Sequence, residues 1–405
     1  MTVGTQKRGR LAVFVDQIYW FDGQVYSTDD AYFLFLKHFT AYFEEVVFVG
    51  RLSPEARRMP YPLDEHSIKF CPLPYYESLY HLWKAGVRLY GPIRNIVRKN
   101  AAGWDAILVG GPNPVGHLIA KECLTLGRPV FFLVRQNLPR QLGSRYHGIK
   151  RWLTVGIAEY FEWQFKRLAR NRTVFAVGEE MANAYGQVSG RVHLCVSSLV
   201  TTADWKRMAC LVRNEQPGRL LFVGRLSEEK GVHHLITALN ILTRNGTAWT
   251  LDIVGEGPVR PTLAAQAEAC GIGQQIKFHG YVPYGPELYS FYQNAQILIA
   301  PSLPGEGFPK VVGEALSSGL PVITSRVAGI PGMLTHDVNA VLVPPGDPSA
   351  LAAAIEQLLC DRTMRERLRE NGRSLMRDHT LEAEQMRMVH VIELNSGISS
   401  NLLAT

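Results

Sequence analysis

Residues 301–325, PSLPGEGFPKVVGEALSSGLPVITS, decide the fold because one run contains the start of a helix, its end and the strand that follows. Pro309 stands where a proline suits the first turn of a helix, since its φ is already set and its missing N–H is no loss there. Residues 319–321, Gly-Leu-Pro, end the helix, and residues 322–324, Val-Ile-Thr, predict a buried strand. The stretch therefore predicts an α/β domain.

Two acids, Glu306 and Glu314, lie eight positions apart in this run. On a helix that spacing is about 80° around the axis and about 12 Å along it. Glu306 is then in the loop that enters the helix, and Glu314 is about one and a half turns inside. The backbone N–H groups around Gly307, Phe308 and Lys310 suit an anion or a ring of hydroxyls. The pattern fits a ligand with a sugar near Glu306 and a ribose near Glu314, although the spacing alone also fits the solvent face of an ordinary helix.

The residues around the two acids favour ligand binding over an ordinary solvent-exposed helix face. Glu-Gly-Phe-Pro, at 306–309, precedes the helix. Glu-Ala-Leu-Ser-Ser-Gly-Leu-Pro-Val-Ile-Thr, at 314–324, continues from the helix into the next strand. The whole stretch resembles the nucleotide-sugar motif of the retaining, GT-B-fold glycosyltransferases called family 4. Three further runs resemble landmarks of that family: LFVGRLSEEKG at 221–231, IVGEGP at 253–258 and FHGYV at 278–282. The resemblance is close over residues 218–378 and holds only in outline before them.

The run at 221–231 has the order strand, Gly-Arg, loop, Lys-Gly, helix. It brings Arg225 and Lys230 to the carboxyl edge of a sheet, beside a helix start, and that position suits a diphosphate. The resemblance implies a nucleoside-diphosphate sugar as donor, with the two cations stabilising the leaving phosphate. It implies that Glu306 and the nearby N–H groups hold the sugar and that Glu314 holds the ribose. Tyr281 and Val282 lie where relatives receive the base.

Metal and cofactor requirements follow from the same comparison of motifs. No Asp-x-Asp triplet stands at a strand end, so we expect no metal, and the two cations can replace one. No cofactor is expected beyond the donor substrate. The family outcome is retention of anomeric configuration, with the leaving phosphate itself deprotonating the acceptor.

The order of predicted elements at the start of the chain is typical of a doubly wound sheet. Residues 11–15 predict a strand, 16–28 a loop rich in aromatics, 29–43 a helix and 46–49 a second strand. Ligands collect at the carboxyl ends of such strands. Gly23, in the loop, is thus placed where backbone could approach a phosphate or the acceptor, and it fits a simple turn equally well.

Residues 105–109 and 129–134 predict two more buried parallel strands. Relatives often have a histidine near the reacting sugar in the loop after the second of these strands, but here that position is Arg135. A guanidinium can stabilise charge but is a poor base because it stays protonated. His117, in the helix after the first strand, and Asn137 are acceptor-side candidates, although a histidine near a helix start is more often structural.

The resemblance implies a GT-B plan of two Rossmann-like domains facing across a cleft. The predicted boundaries are an acceptor-binding domain at 1–197, a linker at 198–217, a nucleotide-sugar-binding domain at 218–378 and a terminal helix at 379–405 that returns to the first domain. In the second domain we predict strands near 219–224, 249–254, 275–280, 296–299, 321–324 and 340–343.

Length and composition limit the number of domains, the cellular compartment and the partners that can be expected. The 405 residues, 46% hydrophobic, suffice for two domain-sized cores. No run of eighteen apolar residues or signal-type segment occurs, and the six cysteines are scattered, which predicts reduced thiols in a cytoplasmic protein. The net charge is +7, but residues 1–195 hold 25 basic and 16 acidic residues, or +9, against 18 and 20, or −2, in the rest. The first domain is therefore expected to meet something anionic.

Two stretches of the first half, 80–99 and 145–172, combine basic and aromatic residues. One hypothesis is an interfacial helix resting on an anionic membrane surface, with the enzyme peripheral on the inner membrane face. The alternative is a pair of amphipathic helices that cover the sheet with basic solvated faces. No nucleic-acid-binding module is evident. The acceptor is expected to be a saccharide or a lipid-linked saccharide, in polysaccharide or glycolipid synthesis.

Two other functions share this architecture. Sugar-nucleotide 2-epimerases have no glycosyl acceptor and lack the Glu-Gly-Phe-Pro…Glu stretch. A catalytically silent subunit that binds a nucleotide sugar or a partner enzyme is also consistent with Arg135 and the single Gly23. Donor hydrolysis or transfer by the purified chain distinguishes an enzyme from the silent subunit.

Overall fold

The computed structural model describes residues 8–77, 87–135, 137–145, 148–210, 214, 216–304, 308–327 and 329–397. The chain divides into two compact units. The first unit consists of Met1–Pro139, Leu153–Ser197 and Glu382–Thr405, and the second of Arg140–Trp152 and Ser198–Leu381. No helix in the described part of the chain is long and apolar enough to cross a bilayer.

A mostly parallel sheet forms the centre of the first unit. Its parallel part has the order β5-β3-β1-β6-β7-β8-β9, and the far end of β1 pairs antiparallel with β2, which pairs with β4. The strands are β1 (Arg8–Phe21), β2 (Tyr26–Thr28), β3 (Phe43–Leu52), β4 (Tyr61–Pro62), β5 (Ile68–Leu73), β6 (Ala106–Gly111), β7 (Val130–Val134), β8 (Val174–Val177) and β9 (Val192–Cys195).

Helices cover this sheet, which explains why its central strands are apolar without alternation: both faces are buried. Every residue of β7, VFFLV, is buried. The helices of the first half of the chain are α1 (Tyr32–Lys37), α2 (Val87–Ala101), α3 (Pro114–Thr125), α4 (Leu138–Arg145), α5 (Gly148–Ala169) and α6 (Glu179–Ser189).

A six-stranded parallel sheet forms the centre of the second unit, in the order β12-β11-β10-β13-β14-β15. Its strands are β10 (Arg219–Val223), β11 (Thr250–Val254), β12 (Ile276–Gly280), β13 (Ile297–Ala300), β14 (Val322–Ser325) and β15 (Val341–Val343). Its helices are α7 (Thr202–Cys210), α8 (Val232–Arg244), α9 (Arg260–Ala269), α10 (Pro286–Asn294), α11 (Lys310–Ser317), α12 (Pro348–Cys360) and α13 (Arg362–Arg377). All six strands predicted for this region are present, and the α/β fold of two Rossmann-like units is confirmed.

The last helix, α14 (Leu381–Ser396), packs in the first unit for all but its first residue. The side-chain amide of Gln385 donates to the carbonyl of Phe35 at 2.7 Å, and Glu384 accepts from the backbone N–H of Val196 at 3.2 Å. The terminal helix is thus bonded to backbone groups of the first unit.

The structure corrects three local predictions. Residues 16–28 are not a loop, because β1 continues to Phe21 and forms a hairpin with β2. The helix predicted at 29–43 is shorter, since α1 ends at Lys37 and a 3-10 turn, His38–Ala41, follows. The predicted linker contains α7, whose Trp205 donates its indole N–H to the carbonyl of Arg373 at 3.2 Å. Propensity in a short window missed these because tertiary pairing extends β1 and anchors α7.

Candidate active site

The strand order of the second unit creates a point where the direction of winding reverses. From β10 the chain moves outward to β11 and β12, then returns to the other side of β10 and moves outward through β13, β14 and β15. In open parallel sheets, ligands bind at the carboxyl ends of the strands beside such a topological switch point. The two stretches that the sequence singled out follow the two strands that form it: residues 224–231 follow β10 and residues 301–310 follow β13.

Glycines let the loops at this edge pack backbone against backbone. The N–H of Gly224 donates to Val254 at 2.9 Å, and a Cβ on Gly255 would collide with the carbonyl oxygen of Gly224. A Cβ on Gly231, which has φ +67°, would collide with the carbonyl oxygen of Pro301. The loop after β10 is therefore held against the loops after both of its neighbours.

The two predicted phosphate-binding cations lie in this loop. Arg225 is exposed, and within the described residues its guanidinium has no ion pair or hydrogen bond. Lys230 is half-buried at the end of the 3-10 turn Glu228–Lys230, and its Cε lies 3.9 Å from the position of a Cβ on Gly224. The lysine side chain thus extends back toward the end of β10. Both charges are at the carboxyl edge of the sheet, as the motif predicted.

The helix after β13 begins beside them. Leu303 donates its backbone N–H to the carbonyl of Glu229 at 2.8 Å, which joins the two loops. Phe308 is buried, Pro309 is the N-cap with an extended ψ of 123°, and Lys310 is the first helical residue. Pro309 is thus one position before the helix rather than in its first turn. Glu306 and Gly307, predicted to hold the sugar, lie outside the described residues.

Glu314 is inside α11 and is 4% exposed. The hydroxyl of Tyr292, a fully buried residue of α10, donates to its Oε2 at 2.6 Å. Burial raises the pKa of Glu314, while the Tyr292 hydrogen bond and the charge of Lys310 oppose that rise. Tyr292 could not be predicted from the sequence, because a hydrogen bond between two helices leaves no periodic pattern. Binding of a ribose by Glu314 stays a prediction.

The remaining donor-side residues follow β12. Gly280 has φ +80° and accepts the N–H of Gly255 at 2.7 Å, so the loops after β11 and β12 are also joined. Tyr281 is exposed and Val282 half-buried at this same edge of the sheet. Their contact with a base stays a prediction.

The first-unit candidates are spread over several elements. Arg135 follows β7 and lies with its guanidinium 4.1 Å from the ring centroid of Tyr32. Asn137 donates to Glu180 at 3.1 Å. His117 is half-buried in α3, its Nδ1 has no hydrogen-bond partner among the described residues, and burial lowers its pKa. Gly23 is in the β1–β2 hairpin turn with φ +97°, beyond Tyr19, where the parallel pairing of β1 with β3 ends.

Comparison with known proteins gives a family match for the part of the chain that contains most of the predicted donor-side residues. Residues 204–375 match the family model of glycosyl transferases group 1. An uncharacterized glycosyltransferase of Methanocaldococcus jannaschii is 34% identical over 155 residues, or 38% of this chain and 39% of that protein. The amylovoran biosynthesis glycosyltransferase AmsK of Erwinia amylovora is 35% identical over 148 residues, or 35% of this chain and 36% of that protein. The chain therefore aligns with less than half of the length of these relatives.

Solved structures match over nearly the whole chain. HepE of Anabaena, crystallised with UDP, superposes with a TM-score of 0.70 over 95% of this chain and 100% of that one, at 17% identity. At that identity the likeness supports the fold, which is the GT-B glycosyltransferase architecture. The group 1 match includes Arg225, Lys230 and Glu314, but it does not reach the first unit.

The first unit also has a switch point, between β1 and β6, and sequence analysis missed the residue beside it. Pairing of β1 with β6 ends at Phe14, and the register of β1 against β3 shifts between Phe14 and Ile18. Asp16 lies in that irregular segment, at the carboxyl end of the parallel pairing. Its position could not be predicted, because a continuous apolar run does not reveal where a bulge interrupts the pairing.

Asp16 is held from one side. The hydroxyl of Tyr76 donates to Oδ1 at 2.6 Å, and Arg51 Nε lies 3.3 Å from the same oxygen. The guanidinium of Arg51 also stacks 4.5 Å from the Tyr76 ring centroid. The Asp16 side chain is 21% exposed, and within the described residues Oδ2 has neither a hydrogen bond nor an ion pair. The carboxylate is thus oriented by two neighbours with one oxygen left open.

Proposed function

We propose that the chain is a retaining, family 4 glycosyltransferase that moves a hexose from a nucleoside-diphosphate sugar to a saccharide or lipid-linked acceptor. One observation supports this above the others: two cations follow β10 at the switch point of a group 1 domain, in a loop packed against the one that leads to Glu306. A diphosphate needs this combination of fixed positive charge and converging loop backbone.

In the proposed reaction the bond from the anomeric carbon to the phosphate oxygen breaks, and its electron pair stays on the β-phosphate. Arg225 and Lys230 stabilise that charge as it develops, which is the electrostatic contribution that usually dominates catalysis. The acceptor hydroxyl bonds to the same face of the anomeric carbon, and its proton passes to the leaving phosphate. No enzyme base is then required, which makes the replacement of a family histidine by Arg135 tolerable.

The paired glutamates steady the two rings of the donor. Glu306 would accept from the sugar hydroxyls and Glu314 from the ribose. Because Glu314 is buried and its Oε2 already accepts from Tyr292, we infer that Tyr292 fixes the orientation in which the carboxylate meets the ribose.

On the acceptor side we propose Asp16 as a positioning residue. Its Oδ2 would accept a hydrogen bond from an acceptor hydroxyl, while Tyr76 and Arg51 keep the carboxylate in one rotamer. Arg135, His117 and Asn137 remain further acceptor-side candidates. Arg135 would contribute charge stabilisation rather than proton transfer.

Names of relatives guide the choice of substrates. AmsK is named for amylovoran biosynthesis, and HepE was crystallised with UDP-glucose. Synthesis of a cell-surface polysaccharide or glycolipid is therefore our proposal for the pathway class, and UDP-sugars are the first donors to test.

The test is binding followed by turnover. The purified chain is screened by thermal unfolding against UDP-, GDP- and ADP-hexoses, and a true donor stabilises it by about 2.7 kcal/mol at one hundred times its dissociation constant. The stabilising donor is then incubated with the chain, and release of free nucleoside diphosphate is measured with and without EDTA. Release that EDTA does not change supports metal-independent transfer or hydrolysis.

Two results would contradict the proposal. Stabilisation by a donor with no release in the presence or absence of a saccharide pool indicates the silent, donor-binding subunit. Conversion of the donor to its 2-epimer, with the glycosidic phosphate bond regenerated, indicates an epimerase.

A further inference from the structure

Helix α5 has one face packed in the first unit and an opposite face exposed. Ala158, Phe165 and Ala169 are buried, and the Phe165 ring meets Phe132 of β7 at 5.1 Å edge to face. These positions fall within about 40° of one another around the helix axis. They attach the helix firmly to the sheet.

The opposite face holds large apolar side chains in solvent. Leu153, Tyr160 and Trp163 are 68%, 53% and 55% exposed, and the Tyr160 and Trp163 rings lie 6.2 Å apart. They fall within about 80° around the axis, on the side away from the buried residues. Large apolar side chains exposed along one face of a helix are typical of an interaction site.

Two arginines extend the same face toward the end of the helix. Arg167 and Arg170 are exposed and fall in the same arc of about 100°. The Arg167 guanidinium lies 5.9 Å from the Trp163 ring centroid. Lys166, by contrast, is turned inward and pairs with Glu162 at 2.9 Å. We define the α5 outer face as Leu153, Tyr160, Trp163, Arg167 and Arg170; all five belong to the first unit, and Glu159 is an exposed acid at its border.

The described part of the other basic stretch has a different character. In α2, Arg94 and Arg98 both pair with the buried Glu122, at 2.8 and 2.6 Å. These arginines hold α2 against α3. Among the described residues of the two stretches, the large exposed aromatic side chains lie in the second.

We propose that the α5 outer face binds an anionic lipid surface. Indole and phenol rings suit the headgroup level of a bilayer, where one side of the ring is apolar and the other wet. Guanidinium groups at the end of the same face pair with lipid phosphates. The excess of nine positive charges over residues 1–195 adds long-range attraction to such a surface. This inference goes beyond the proposed function, and it does not depend on which donor is used.

The experiment is co-sedimentation of the full chain with vesicles. Vesicles of phosphatidylcholine containing phosphatidylglycerol are compared with vesicles of phosphatidylcholine alone, at low and high salt. We expect the chain to sediment with the anionic vesicles at low salt and to be released as salt screens the charges. A blue shift of the chain's tryptophan fluorescence in the same samples, present in the wild type and smaller in a Trp163→Ser variant, would support burial of the Trp163 ring.

Variants localise the contact. Arg167→Gln with Arg170→Gln should weaken binding by about fivefold for each arginine removed. Arg57→Gln is the charge control, because Arg57 is an exposed arginine of the same unit in the segment between β3 and β4. Tyr160→Ser with Trp163→Ser should reduce the fluorescence shift and weaken binding, whereas Leu394→Ser, which alters a leucine 71% exposed on α14, should not.

Each other outcome overturns the proposal. A wild-type chain that stays in the supernatant with anionic vesicles refutes it, and so does equal loss of binding in the control variants. If the chain instead self-associates, and Tyr160→Ser with Trp163→Ser prevents this, the α5 outer face is a protein interface. Donor turnover measured without vesicles should be the same in wild type and all of these variants, so a failure of the proposed function is recognised separately.

Discussion

The two units place different chemistry at equivalent points of the same topology. In the second unit, β10 ends after five residues and a glycine-rich loop with Arg225 and Lys230 follows. In the first unit, β1 runs for 14 residues, past the end of its pairing with β6, and the residue beside the switch point is Asp16. One switch point is cationic and built from converging loop backbone, whereas the other is an oriented carboxylate on an irregular strand.

The side chain proposed to act at each switch point has a charge opposite to the net charge of the surrounding sequence. Residues 1–195 sum to +9 and residues 196–405 to −2, yet the carboxylate is in the first unit and the cations are in the second. Net charge therefore describes what the outer surface meets at long range and not what the site binds. We use this comparison to order four predictions.

The largest effect is expected from Lys230→Ala. Removing one of two charges that stabilise the leaving phosphate should lower turnover of the donor by about 10²–10³-fold. The measurement is nucleoside diphosphate release by the purified variant with the donor found in the thermal screen. Lys277→Ala is the matched control, because Lys277 is an exposed lysine on β12 of the same unit.

Undiminished turnover in Lys230→Ala would remove the cationic site from the mechanism. An equal loss in Lys277→Ala would instead indicate that overall charge, and not the loop after β10, sets the rate.

More of the fold than of the candidate active site could be predicted from the sequence. The strands at 219–223 and 322–325 were predictable because each is a short apolar run bounded by glycine or proline. Asp16 and Tyr292 were not, since a bulge and a hydrogen bond between two helices depend on tertiary pairing that leaves no local pattern. The loop cations were found only because their whole motif resembles a family, as an isolated Arg and Lys in a loop are usually just solvated.

A second prediction concerns the backbone contact between the loops after β10 and β11 at the switch point of the second unit. Gly255→Ala would place a Cβ against the carbonyl of Gly224 at a φ of +142°, so the second unit should lose about 3 kcal/mol of unfolding free energy. Gly246→Ala is the control: its φ is +79° but nothing lies within 4 Å of the added Cβ, so about 1 kcal/mol is expected. Urea unfolding measures both, and equal losses would show that the packing of the two loops adds nothing beyond strain.

A third prediction concerns the buried carboxylate of the second unit. Tyr292→Phe removes the hydroxyl that donates to Glu314, which should cost about 2 kcal/mol at neutral pH. Burial already raises the pKa of Glu314 above its usual value near 4.5, so the folded state binds more protons than the unfolded state does. The contribution of this carboxyl to stability therefore falls as pH rises from the unfolded pKa to the raised folded pKa. Loss of the Tyr292 hydroxyl, which favours the ionised carboxylate, should raise the pKa of Glu314 further.

The deficit of Tyr292→Phe should therefore grow from acidic to neutral pH. Urea unfolding at several pH values measures it, with Tyr289→Phe, on the same helix, as a second tyrosine variant. A deficit that does not change with pH would mean that Glu314 does not titrate differently in the folded protein.

The smallest effect is expected from Tyr76→Phe, which removes a hydroxyl at the same 2.6 Å distance from a carboxylate, in the first unit. Asp16 is 21% exposed and keeps Arg51 at 3.3 Å, so water and the guanidinium compensate and the loss should be only about 1 kcal/mol or less. Urea unfolding of Tyr76→Phe beside Tyr292→Phe measures the difference. If the two variants lose the same stability, Asp16 is as enclosed as Glu314, its Oδ2 is not open to an acceptor hydroxyl, and the division of roles between the two switch points fails on the acceptor side alone.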